Sequence, residues 1–96
     1  MYVIIGYDVS TMTADGRKRL RKVSKACQNY GQRVQKSVFE CKVDAMTLEI
    51  LQDALLKEIS LTEDNLRIYR LTEPLTKNVK EFGKFRATDF DAPLIL

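Results

Sequence analysis

Asp8 is the residue around which chemistry could be organised. It closes an apolar run, Tyr2-Val3-Ile4-Ile5-Gly6-Tyr7, and a polar stretch then leads to Arg17, Lys18, Arg19, Arg21, Lys22 and Lys25 with no acidic residue among them. A second block, Gln35-Lys36-Ser37-Val38-Phe39-Glu40, reads as a strand with a polar turn before it. One acid at the end of a buried strand, ringed by phosphate-seeking cations, suggests metal-assisted chemistry on nucleic acid. The same residues also fit a plainer arrangement, an Asx turn from Asp8 onto Val9 and Ser10 beside a solvated helix. Charge spacing bears on the choice. Solvated helices interleave Glu with Lys, whereas like-charge pairs four apart, as in Arg17, Arg21 and Lys25, cost roughly 0.2–0.5 kcal/mol each. Contact with phosphate would offset that cost. Arg33 extends the patch, and binding by such a face should be independent of base sequence and strongly salt-dependent.

Asp8 alone is a poor magnesium site, because hard cations take several oxygen ligands. A twofold axis near the first strand would change the count: two copies of Asp8 would face each other and share one ion with waters. Other chemistries are excluded by what is missing. The chain has no histidine, which removes Ser-His-Asp and Cys-His nucleophile systems and the H-E-x-x-H metalloproteases. Gly6, Gly16, Gly31 and Gly83 form neither a phosphate loop nor a dinucleotide fingerprint. Cys27 and Cys41 lack C-x-x-C spacing and read as buried small hydrophobes, with too few ligands for zinc. Ser10 could position a water, though capping a helix is its simpler role. Phe39 and Tyr7 fit a core better than a stacking platform.

These residues need elements to hold them. Residues 2–8 read as a strand with Val3, Ile5 and Tyr7 on one face and Tyr2, Ile4 and Asp8 on the other. A polar loop with Ser10, Thr11, Thr13 and Asp15 as candidate caps leads into a helix to about Tyr30. Its inward stripe is Leu20, Val23, Cys27 and Tyr30, and Gly31 is expected to end it in the left-handed conformation. Gln32 to Val43 reads as two short strands, or one bent at Ser37, with Phe39, Cys41 and Val43 facing one way. Asp44 caps a second helix, through about Ser60, with the stripe Leu48, Leu51, Leu55 and Ile59. Asn65 to Leu71 is a further strand. The order strand, helix, strand, strand, helix, strand predicts an α+β fold, a ferredoxin-like βαββαβ sandwich with an antiparallel sheet and both helices on one face.

The ninety-six residues form a single domain, with a core over 1–72 and a tail over 73–96. A chain of this size buries only about 60–65% of its unfolded surface. The second apolar face of the first strand therefore predicts a homodimer joined through the sheet face. Asn78 to Phe82 could add a fifth strand, and the tail that ends Pro93-Leu94-Ile95-Leu96 is expected to pack on the partner copy. The net charge of +3 is unevenly divided, with nine Lys/Arg and three Asp/Glu in residues 1–42 against seven and ten beyond. The electropositive first half would attract polyanions. No run reaches the ~18 apolar residues of a membrane helix, and the start lacks a signal-peptide pattern, so a cytoplasmic location without membrane contact is expected.

Three elements together resemble the CRISPR-associated protein 2 family: Tyr7-Asp8-Val9 closing the first strand, the basic helix ending Asn29-Tyr30-Gly31, and Arg33-Val34-Gln35-x-Ser37-Val38-Phe39-Glu40. The resemblance covers residues 2–72. It implies a homodimer that takes part in spacer acquisition and antiviral defence by bridging two dimers of the CRISPR-associated protein 1 integrase. It also implies similarity to metal-dependent endonucleases that use Mg²⁺ or Mn²⁺ on double-stranded DNA or single-stranded RNA. The family's metal aspartate falls on Asp8, one from each subunit, and the arginines of its basic helix and following strand on Arg17, Arg19, Arg21 and Arg33; Lys25 joins them as a nucleic-acid-binding candidate by its place on the same helix face. The family's Ser-Val-Phe-Glu element falls on Ser37 to Glu40, where Phe39 shapes the cleft near the twofold axis; Ser10, as a candidate to position water, is expected at the same cleft. Two readings stay open, a nuclease working from paired Asp8 residues and a non-catalytic adaptor on the incoming spacer DNA. An RNA-binding domain that stacks bases is disfavoured, because the K/R-G-F/Y strand motif is absent.

Overall fold

A computed structural model describes residues 1–84. In chain order it contains β1 (Tyr2–Asp8), α1 (Ala14–Gln28), β2 (Gly31–Gln35), β3 (Val38–Lys42), α2 (Ala45–Glu58), β4 (Asn65–Leu71) and one helical turn, α3 (Leu75–Asn78). The four strands form an antiparallel sheet in the order β2-β3-β1-β4. This is the expected ferredoxin-like sandwich, with β1 flanked by β3 and β4.

Alternation along β1 explains the layering. Val3, Ile5 and Tyr7 are buried, and so are Phe39, Cys41 and Val43 from β3 and its exit. Against them α1 places Val23 and Cys27, and α2 places Leu48, Leu51 and Leu55. Full burial of each large aliphatic side chain contributes about 1.5–3 kcal/mol. Tyr2, Ile4, Gly6 and Asp8 point to the opposite face, which neither α1 nor α2 covers. Thr13 is the cap of α1, its Oγ1 accepting from the Gly16 amide at 3.0 Å, so the work falls to one of the four candidates. Asp44 caps α2 as expected, accepting from the Thr47 amide at 2.7 Å.

Two expectations need correction. Gly31 does not end α1 in a left-handed conformation; Asn29 closes the helix in the right-handed region, and Gly31 opens β2 without a positive φ. Glycine is required there by crowding. A Cβ would run into the Glu40 carbonyl and the Cys41 Sγ across the β2–β3 ladder. We therefore expect Gly31→Ala to lower stability by about 1–3 kcal/mol, read as a shifted urea midpoint at unchanged m-value. The second correction concerns the extra C-terminal strand. Residues 75–78 form a helical turn, and the described residues 79–84 carry no strand. The Asn78 side-chain amide donates to the Thr72 and Pro74 carbonyls, tying residues 72–78 into a turn where the expected strand would begin. Val79, Lys80, Glu81, Phe82 and Lys84, together with Tyr2, Gln32 and Glu40 of the sheet, line a cleft of about 1350 Å³. The expected packing of Pro93 to Leu96 lies outside the described residues.

Candidate catalytic and nucleic-acid-binding face

Asp8 is exposed at the last position of β1, on the open sheet face. It pairs in register with Asn65 of β4, while the preceding amide, that of Tyr7, donates to the Ser37 carbonyl at 3.1 Å. The turn between β2 and β3 therefore lies alongside the end of β1. Val9 follows Asp8 into the core and is 6% exposed, so the carboxylate stands between a ladder residue and a buried anchor. Asp8, Ser10 and Ser37 are brought to one end of the sheet by this geometry. Among the described residues no three His, Cys, Asp or Glu side chains gather as a metal-binding group. One chain's Asp8 is by itself too small a donor set for a hard dication.

Of the predicted cations, Arg17, Arg21 and Lys25 are exposed along α1. Arg17 Nη1 also donates to the Thr11 carbonyl at 3.1 Å, which leans it toward the β1–α1 loop. Arg33 is exposed on edge strand β2, its guanidinium 5.2 Å from the centre of the Phe39 ring. Its charge acts on the Cys27 thiol, which places it beside the C-terminal part of α1 and extends the basic stripe.

Arg19 stands apart from that set. Its Nε donates to Asp64 Oδ2 at 2.9 Å and its Nη2 to Glu63 Oε2 at 2.8 Å, with 19% of the side chain exposed. The Asp64 side chain is completely covered, and it also accepts from the Ser10 amide at 3.0 Å and the Ser60 amide at 2.8 Å. Burial works against ionising Asp64, but the Arg19 guanidinium and the two amides outweigh it and hold the carboxyl below its usual range. The sequence contains one signal for this pairing. Arg19 lies four residues before Val23, at the flank of the inward stripe and off the row of Arg17, Arg21 and Lys25. Asp64, a single acid ahead of a strand, carries no signal that separates it from a surface residue.

Because folding lowers the Asp64 pKa, its contribution is present above the unfolded value near pH ~3.9 and is lost as the pH falls through the folded value. The stability gap between wild type and Asp64→Asn is expected to be constant above about pH 5 and to narrow below about pH 4. Urea titrations of both proteins over that range would measure it.

Phe39 is fully buried on the helix side of the sheet, with its ring centre 6.2 Å from that of Tyr7. It lies on the face opposite Asp8, so any influence on a cleft there is indirect. The Tyr7 hydroxyl is hydrogen-bonded to Ser24 Oγ at 2.7 Å, which fixes the ring between sheet and helix. Cys27 and Cys41 are both buried; burial pushes their thiols up to about 12 and about 11, so both stay protonated near neutrality. On the open face burial also raises the Glu40 carboxyl, and the charge of Glu81 adds to the effect.

The family model described as CRISPR associated protein Cas2 matches residues 1–79. The chain belongs to the Cas2 family. Among its relatives, the CRISPR-associated endoribonuclease Cas2 1 of Moorella thermoacetica is 55% identical over 96 residues, covering all of both chains. The CRISPR-associated endonuclease Cas2 of Halalkalibacterium halodurans is 52% identical, with 99% of each chain covered. The crystal structure of Streptococcus pyogenes Cas2 at pH 6.5 superposes with a TM-score of 0.78 at 43% identity, over 86% of this chain and 100% of that one. Full-length coverage makes the Cas2 likeness one of the whole domain. No helix among the described residues is long and apolar enough to cross a membrane.

Proposed function

We propose that this Cas2-family chain acts as a homodimeric, metal-dependent endonuclease that cuts phosphodiester bonds in double-stranded DNA or single-stranded RNA during CRISPR spacer acquisition. The observation that carries the reading is the placement of Asp8. An exposed carboxylate ends β1 on the sheet face that α1 and α2 leave open, and the basic row of α1 begins one loop away. The names of the relatives, endoribonuclease and endonuclease, support the same reaction class. Two copies joined through the open face would supply two Asp8 carboxylates to one Mg²⁺ or Mn²⁺. Such an ion, when bound, polarises a phosphoryl oxygen and lowers the pKa of an attacking water. The protein's own part is to hold both carboxylates on rigid strand ends and to track the backbone with Arg17, Arg21, Lys25 and Arg33.

Incubating the protein with linear duplex DNA and with single-stranded RNA, in Mg²⁺, in Mn²⁺ and in EDTA, tests this. Cutting is expected with either metal and none in EDTA. Cutting in EDTA, or none under any condition, would overturn the nuclease reading. Light scattering at micromolar concentration should give the mass of a dimer, and a monomer would remove the second Asp8.

The donor count favours a second reading. A single carboxylate with no ligand cluster around it among the described residues also suits a non-catalytic adaptor that holds incoming spacer DNA between dimers of the CRISPR-associated protein 1 integrase. Both readings share the basic face. In gel shifts across a salt series, alanine at Arg17, Arg21, Lys25 or Arg33 should weaken binding whatever the base sequence. Every phosphate left without its cation should reduce the log–log salt slope by about 0.9.

A further inference from the structure

We infer that Arg19 and Asp64 form a clasp that positions Asp8 by fixing the β1–α1 loop, and that Arg19 is a positioning residue, with no direct contact to phosphate. The inference rests on the reading of Asp8 as the reacting carboxylate.

The loop leaves β1 at Asp8, buries Val9 and reaches Ser10, two residues on. Ser10 is held from both sides. Its amide donates to Asp64 Oδ1 at 3.0 Å, and its carbonyl packs so closely on Gly16 that a Cβ there would overlap it. Asp64 is held in turn by Arg19 through Nε at 2.9 Å and Nη2 at 3.3 Å, and by the Ser60 amide at 2.8 Å. The residue after Asp64 is Asn65, the ladder partner of Asp8. The clasp thus grips the chain on both sides of the carboxylate, two residues beyond Asp8 on β1 and one residue before its partner on β4. It ties together α1, the exit of α2 and the ends of both strands. A reacting group has to be held within a fraction of an ångström of its working position, and supporting hydrogen bonds to the residues that carry it provide that hold. Arg19 is equipped for this work and poorly placed for phosphate. Its side chain is 19% exposed and its fork is occupied by two carboxylates, whereas Arg17, Arg21 and Lys25 face solvent.

The test compares wild type with Arg19→Gln, Asp64→Asn and Gly16→Ala, all below their melting temperatures. The last reaches Ser10 from the opposite side and leaves the ion pair untouched. For each, the cutting rate at saturating metal and substrate, the salt slope of binding and the exchange protection of the Ser10 amide are measured. In Arg19→Gln and Asp64→Asn we expect faster Ser10 exchange and a 10- to 100-fold lower cutting rate, with an unchanged salt slope. Gly16→Ala should lose cutting to a similar degree. A salt slope reduced by Arg19→Gln as much as by Arg17→Gln would overturn the inference and make Arg19 a phosphate contact. Unchanged Ser10 exchange in Asp64→Asn would overturn the clasp itself, as would full cutting rate in variants that have merely become less stable. A wild-type protein that never cuts would remove the role at Asp8, while faster Ser10 exchange in Asp64→Asn would still report the clasp, so the two failures are distinguishable.

Discussion

Asp8→Asn is expected to abolish cutting, with a loss of about 100-fold or more, while gel-shift affinity and fold stay close to wild type. The substitution is nearly isosteric at an exposed strand end, so little packing is disturbed. Its register partner Asn65 and the buried Val9 beside it keep the backbone in place. What changes is charge: an amide is a much weaker ligand for a hard dication than a carboxylate. The basic row on α1 is unaffected, so phosphate tracking persists. The adaptor reading predicts a different pattern, in which Asp8→Asn changes nothing and only the Arg and Lys substitutions matter.

Phe39→Ala is expected to cost about 3–5 kcal/mol, a large share of the roughly 5–15 kcal/mol available to an ordinary domain and close to all of it for a small one. The ring is fully buried between sheet and helices, stacks near Tyr7 and carries the Arg33 guanidinium at 5.2 Å. Truncation would leave a cavity bounded by the elements that form the core. Phe39→Leu preserves most of the volume and should cost less than about 1.5 kcal/mol. Urea denaturation of both variants measures the difference. The Leu variant separates two roles. If Phe39 acts through the core, Phe39→Leu should retain the wild-type cutting rate. A folded Phe39→Leu that fails to cut would instead give the ring a direct part in the cleft.

The strands, both long helices and the layer order were legible in the sequence because each element buries one face and its periodicity is uninterrupted. Val3, Ile5 and Tyr7, or Leu48, Leu51 and Leu55, could point only one way. Gly31 was misread because a glycine after a helix usually supplies a left-handed turn; here the demand comes from Glu40 and Cys41 across the ladder, which no local pattern reveals. The residues from Asn78 to Phe82 alternate well enough for a strand, but Asn78 ends a helical turn that its own side chain ties to the Thr72 and Pro74 carbonyls, a contact no alternation pattern reveals. Within the site, Asp8 and the exposed row of Arg17, Arg21 and Lys25 were visible from type and spacing. The different position of Arg19 depends on Asp64, forty-five residues away, a pairing that exists only once α1 and the α2–β4 connection are packed together.

The central claim, that two copies of Asp8 make one site, is tested most directly by mixing subunits. Wild-type and Asp8→Asn protein, refolded together at equal amounts, should assemble at random into pairs. If each site needs both carboxylates, cutting should fall to about a quarter of the wild-type rate at the same total concentration, following the square of the wild-type fraction. A rate near one half, linear in that fraction, would mean that each chain carries a complete site and would contradict the paired Asp8.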